Sequence, residues 1–186
     1  MQTILWRRLD RPGHEAACVA FHTRTWQLVG TVVMEESGRP CRLDYAVVCD
    51  AEWHTLWARV AGWWGLEQVS YRIAVDPAGT WRLNGKPQPA LFGCVDVAFS
   101  FTPATHLFPV RRLKLAIGDE ARIRTARIGV PRLSVEAVDQ GYKRIGDRQW
   151  FHEDSDGAFN AIFEVDDLGL VLKYGNTWQA QGRYPG

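Results

Sequence analysis

The chain has 186 residues, 46% of them hydrophobic and 23% charged, with 22 Lys and Arg against 21 Asp and Glu. That length fits a single domain over 1–186 with a sizeable core, and the composition excludes a disordered chain. A net charge of +1 supplies no basic face for nucleic acid, so no such partner is expected.

The N-terminal stretch Met1 to Leu9 carries Arg7 and Arg8 with no apolar run behind them, so it does not read as a secretory signal. No segment has the length and apolarity of a transmembrane helix, and neither end carries a lipidation motif. The sequence therefore implies a soluble, cytoplasmic protein. From Trp26 onward the dominant period is two. Trp26, Leu28, Gly30, Val32 and Met34 share one face of a strand, and Cys41, Leu43, Tyr45, Val47 and Cys49 share one face of the next. Val69, Tyr71, Ile73 and Val75 repeat the pattern. Asp76-Pro77-Ala78-Gly79 and Asn84-Gly85 are turn chemistry on either side of a short strand at Thr80 to Leu83. Further turns are marked by Ser37-Gly38, Gly146-Asp147, Asp154 to Gly157 and Asp166 to Gly169. The closing strands carry Phe159, Ala161, Phe163 and Val165, then Leu170, Leu172 and Tyr174. Strands at this spacing argue an antiparallel meander.

One segment breaks the period. Thr102-Pro103-Ala104-Thr105 has the chemistry of a helix start, and Val110, Leu113 and Ile117 follow at helical spacing. One helix is predicted over 105–117, with Gly118 as its terminator. A long sheet must cover a face or curl around something, and a single amphipathic helix can plug a curled sheet. The fold class is mainly β: a long antiparallel sheet rolled around a single α-helix.

Nine tryptophans are more than a core of this size usually needs. The surplus indicates a lined cavity, a dimer interface, or both. Trp53, Trp57, Trp63 and Trp64 cluster in sequence and would wall an acyl chain or stack on a sugar, or else fill the core. Arg111 and Arg112, on the predicted helix, would capture an anion or pair with Asp50 or Asp96. Arg59, Arg72 and Arg127 lie in apolar strand text and need partners wherever they face inward; strand parity turns Arg72 outward. The histidines His14, His22, His54, His106 and His152 form no HExxH motif, and His106 is expected to be hydrogen-bonded or solvated. Cys18, Cys41, Cys49 and Cys94 form no CxxC pair and read as buried thiols. No metal or other cofactor is expected. There is no GxSxG elbow and no glycine-rich phosphate loop. Asp96, Glu153, Asp154 and Asp156 could pair as acid and base, the last three from a turn.

Three stretches resemble one family together. They are Val48 to Val60, Gly93 to Leu113 with its Phe-Thr-Pro-Ala-Thr and Pro-Val-Arg-Arg-Leu runs, and Phe163 to Val171. They resemble the Putative glycolipid-binding family of bacterial proteins, formerly a domain of unknown function, over nearly the whole chain. The resemblance implies a spiral β-roll around one helix, and a homodimer. The function expected is non-catalytic binding of an amphipathic small molecule, a lipid or glycolipid. Its tail would meet Trp53, Trp57, Trp63, Phe99 and Phe101. Its head would be held by Arg59, Arg111, Arg112 and Tyr142. The alternatives are a homodimeric interaction module without a ligand, and a hydrolase acting on an ester or sugar.

Overall fold

A computed structural model describes residues 1–130, 134–154 and 159–185. The first half of the chain forms β1 (Gln2–Arg8), β2 (Gly13–His22), β3 (Thr25–Glu36), β4 (Arg39–Cys49), β5 (Thr55–Trp64), β6 (Glu67–Val75), β7 (Trp81–Leu83) and β8 (Lys86–Pro87). Then come β9 (Asp96–Phe99), the helix α1 (Leu107–Leu113), and β10 (Glu120–Gly129), β11 (Ser134–Arg144), β12 (Gln149–Asp154), β13 (Asn160–Val165), β14 (Val171–Tyr174) and β15 (Trp178–Pro185). The fifteen strands among the described residues make one sheet, in the order β8-β7-β6-β5-β4-β3-β2-β1-β15-β14-β13-β12-β11-β10-β9. The mainly β class and the single helix agree with the periodicity. One edge departs from antiparallel pairing: β9 lies parallel to β10, with Thr125 opposite Asp96 and Ile128 opposite Phe99. A parallel pair needs a crossover, and the segment carrying α1 supplies it.

The inner stripe is well shown by β4, where Cys41, Leu43, Tyr45, Val47 and Cys49 are all buried. Inner stripes from both halves of the sheet join one core with Leu107, Phe108 and Val110 of α1. The sheet curls until its β9 edge reaches the other half. The Thr55 N–H donates to the Val95 carbonyl at 3.3 Å. The Val97 N–H donates to the Thr55 hydroxyl at 3.1 Å, and the Trp81 indole donates to the Cys94 carbonyl at 3.1 Å. These contacts hold the spiral shut without ladder pairing between its edges.

The helix is shorter than predicted. Ala104–His106 is a 3-10 turn, and α1 ends at Lys114, whose φ of 50° is left-handed. Ile117, taken in sequence as part of the helical stripe, is exposed. Thr102 is not the cap, since Pro103 precedes the 3-10 turn and His106 precedes α1; its hydroxyl instead accepts from the Ala104 N–H at 2.9 Å and donates to the buried Glu15 carboxyl at 2.6 Å. Pro109 is the third residue of α1, where a backbone N–H would have no intrahelical partner, so the helix tolerates it.

Most of the tryptophan excess is core. Trp6, Trp53, Trp81, Trp150 and Trp178 are buried, and Trp53 stacks on Trp26 at 4.2 Å. No helix among the described residues is long and apolar enough to cross a membrane.

Candidate functional site

Beside the start of α1, a cleft of about 420 Å³ opens into the roll. Its floor is polar and comes from adjacent strands. Period two puts Gln140 and Tyr142 on the inward face of β11, and His152 and Asp154 on the inward face of β12. The antiparallel register then sets Gln140 opposite Asp154 and Tyr142 opposite His152. The Gln140 amide donates to Asp154 Oδ1 at 3.0 Å, and Arg127 from β10 donates to Asp154 Oδ2 at 2.7 Å. His106, in the turn before α1, shares a 2.7 Å hydrogen bond with the Tyr142 hydroxyl through Nδ1 and stacks on Tyr174 at 4.7 Å. Tyr174 in turn is hydrogen-bonded to His152 Nδ1 at 3.0 Å. Phe99, Phe159 and Trp178 add apolar wall, and Arg8, Asp10 and Arg11 form the rim.

Burial sets the protonation of this cluster. It pushes His106 well below the usual histidine range, and the neighbouring His152 adds to the effect. His152 is lowered to about 4, mainly by burial, with Asp154 opposing and Arg127 reinforcing. Both rings are therefore neutral near pH 7. Burial raises the Tyr142 and Tyr174 hydroxyls, so both keep their protons. His152 Nε2 is buried with no hydrogen-bond partner among the described residues; Asp154 Oδ1, at 3.8 Å, is too far to serve. Thr125 Oγ1 is likewise buried without a partner among the described residues and lines a small extension of about 10 Å³ under His106 and Tyr142. Neutral rings, phenols, an amide and a carboxylate offer donors and acceptors in fixed positions. A ring of such low basicity suits hydrogen bonding better than proton abstraction near neutral pH. Among the described residues no cluster of His, Cys, Asp and Glu is arranged to hold a metal.

The residues singled out in the sequence are dispersed. Phe99 lines the cleft, and Tyr142 lines the small extension beneath His106. Phe101 stacks on Phe99 at 5.2 Å and is buried. Trp53 lies under the Arg111 guanidinium, 5.7 Å from its carbon. Arg112 makes a two-point ion pair with the buried Asp96, one of the two carboxylates considered for it. Trp57, Arg59 and Trp63 share the outer parity of β5, while Ala58 and Val60 between them are buried. Arg59 faces Arg72 across the ladder there, and Arg72 is exposed, as parity indicated. Glu153 and Asp154 belong to β12 rather than to a turn, and Asp156, with the rest of that turn, lies outside the described residues. From sequence, His152, Gln140 and Tyr174 have no site role, and Asp154 enters only as a candidate partner in an acid–base pair. The available signal was polar residues spaced i, i+2 on the inward parity of two neighbouring strands.

A larger depression, about 690 Å³, lies on the outer face between Leu5, Ala16, Val29 and Arg59. It is open, and none of the buried unpartnered polar atoms lines it.

A solved structure described as a DUF1089 family protein from Pseudomonas aeruginosa is similar to this chain at 30% identity. The match covers 89% of this chain and 91% of that one, with a TM-score of 0.77. No curated protein matches the chain. A family model described as Putative glycolipid-binding matches residues 3–180. With that match over nearly its whole length, the chain belongs to the Putative glycolipid-binding family.

Proposed function

We propose that the chain binds an amphipathic small molecule of the glycolipid type without transforming it, and that the polar head lies in the cleft of His106, Gln140, His152 and Asp154. The observation that carries this reading is the buried Nε2 of His152, which has no partner among the described residues. An unsatisfied buried polar group costs about 1–3 kcal/mol, and a bound hydroxyl would satisfy it. The cleft volume of about 420 Å³ falls in the range of small-molecule sites. Its charges favour an uncharged head. Arg8 and Arg11 pair with Asp10 and Glu36, and Arg127 pairs with Glu136 and Asp154. The hydrogen-bonding set and the aromatic wall of Phe159, Tyr174 and Trp178 suit a sugar ring with an alkyl tail.

Calorimetric titration with octyl glucoside below its micelle concentration, beside free glucose and octanol, tests the proposal. Binding that needs both halves of the molecule, and that weakens about tenfold or more in Gln140→Ala, is the expected result. No binding by the glycoside, together with no lipid released on extraction of the native protein, removes the basis of the reading.

The homodimer implied by the resemblance has a specific observation in its favour. Leu5 of β1 and Val29 and Val33 of β3 are exposed on the outer face, on either side of β2. Sedimentation velocity across a concentration series tests it; a monomer at every concentration rejects it.

A further inference from the structure

A second cleft, of about 440 Å³, lies at the other end of α1. Four cations face it: Arg111 and Lys114 from the end of the helix, and Arg144 and Arg148 from the β11–β12 hairpin. Three aspartates are also present, and two are already engaged. Asp166 Oδ1 accepts the N–H groups of Leu168, Gly169 and Leu170, and its other oxygen accepts from Gln2. Asp167 pairs with Arg148 at 2.7 Å. The third, Asp147, is exposed.

Three of the cations have no carboxylate within 4.0 Å among the described residues. Arg144 is held rigidly by neutral groups: it donates to the carbonyls of Leu115 at 3.0 Å, Asp147 at 2.8 Å and Gly146 at 3.3 Å. Those bonds fix the guanidinium without cancelling its charge. Arg111 is less satisfied still. Its one hydrogen bond among the described residues is a 3.5 Å contact to the Asp167 carbonyl, and its Nε is buried with no acceptor. Yet the side chain is fixed in place. The guanidinium sits over the Trp53 ring, and a Cβ on Gly169 would fall 3.2 Å from Arg111 Cδ. A half-buried guanidinium, pre-positioned and short of acceptors, is the arrangement that binds an oxyanion through two parallel hydrogen bonds.

We propose that this cleft binds a phosphate-type oxyanion, taken in a forked contact by Arg111, with Arg144 supplying fixed positive charge and Lys114 closing over it. The proposal is independent of the head-group cleft, whose arginines are all paired. The same chemistry could arrive as a free phosphorylated small molecule or as a phosphate-monoester lipid.

The test is calorimetric titration of the full chain with inorganic phosphate, with ionic strength held constant by chloride. It is paired with flotation on phosphatidylcholine vesicles with and without phosphatidate. Arg144 ties three loop carbonyls, so its loss could unfold the hairpin; Arg111→Gln and the exposed Lys114→Gln are the variants of choice. Saturable phosphate binding is expected, weakened at least about tenfold by Arg111→Gln and less by Lys114→Gln, with Arg111→Lys restoring only part. Binding to free phosphate assigns the site to a soluble ligand. Binding only to phosphatidate vesicles, lost in Arg111→Gln, assigns it to a lipid head. Phosphate indistinguishable from chloride, with no phosphatidate preference, overturns the proposal, as does binding that Arg111→Gln leaves unchanged.

Discussion

The Tyr45 ring lies across the bare backbone of Gly30, its cross-strand partner: a Cβ on that glycine would fall 2.4 Å from both Cζ and the hydroxyl oxygen. The gap lets Tyr45 cross β3 and donate to Glu15 on β2 at 2.5 Å. The same Glu15 oxygen accepts from Thr102, in the segment leading into α1. A glycine in mid-strand, normally a weak choice, thus lets three strands and the helix entrance share one buried carboxyl.

Gly30→Ala should therefore destabilise the fold by about 2–4 kcal/mol, combining overpacking with a broken buried hydrogen bond. Urea unfolding measures it. The double variant Gly30→Ala with Tyr45→Ala should cost less than the two single changes added together, because the residues touch. Full additivity would show that the ring does not depend on the glycine.

Glu15 itself makes stability depend on pH. Burial raises its carboxyl from an ordinary 4.5 to about 8, against the lowering effect of hydrogen bonds from Thr102 and Tyr45. Between those values the folded chain keeps a proton that the unfolded chain has lost. Its stabilising contribution is whole below pH 4.5 and drains away as pH rises through 8. From pH ~6.5 to ~8, wild-type stability should fall by up to ~1.4 kcal/mol per pH unit, and Glu15→Gln should flatten that limb. An unchanged slope in the variant would show that Glu15 ionises normally.

The cleft histidines act in the opposite sense. His152 falls from 6.5 to about 4, and His106 falls well below 6.5. Above pH 6.5 both states are neutral there and nothing is lost. As pH drops toward 4 the unfolded chain takes up protons that the folded chain refuses, so stability declines. Histidine ring signals in NMR provide the direct check. The His152 ring should keep the shifts of the neutral form down to pH ~5; titration near 6.5 would show an open, solvated cleft.

Local chemistry was the most legible part of the sequence. Alternation identified the buried stripe of β4, and Asn84-Gly85 did form the tight turn between β7 and β8, with φ of 48° and 81°. Strand parity alone does not say which face becomes the interior. That is why Trp57, Arg59 and Trp63 were grouped with a ligand although they lie on the outer face. The helix was overestimated because the stripe through Ile117 is a local pattern. Its end is set by the left-handed Lys114 and by contacts remote in sequence: the Gly118 N–H donates to the Arg144 carbonyl at 2.8 Å. The cleft was least legible. His106, Tyr142, His152 and Tyr174 are far apart in the chain, and only the β11–β12 register and the roll bring them together. Asp154 was assigned to a turn because it stands at the last position of β12.

The Arg112–Asp96 pair fastens α1 to the β9 edge, and its cost of burial is visible in the acid. Burial raises the Asp96 carboxyl, and the hydrogen bonds and charge of Arg112 only partly offset this. Asp96 is almost fully buried, Arg112 slightly less so. Removing one partner leaves a buried charge alone, which is worse than removing both. Asp96→Asn should thus cost about 3–5 kcal/mol. A double change to Asp96→Leu and Arg112→Met should cost markedly less than the single change, because no charge is stranded. Urea unfolding of the three proteins decides it. If the double variant is the least stable, the pair contributes net stability beyond compensating its own burial. The β9 edge would then be held mainly by that ion pair rather than by the apolar contacts of Val97 and Phe99 with the core.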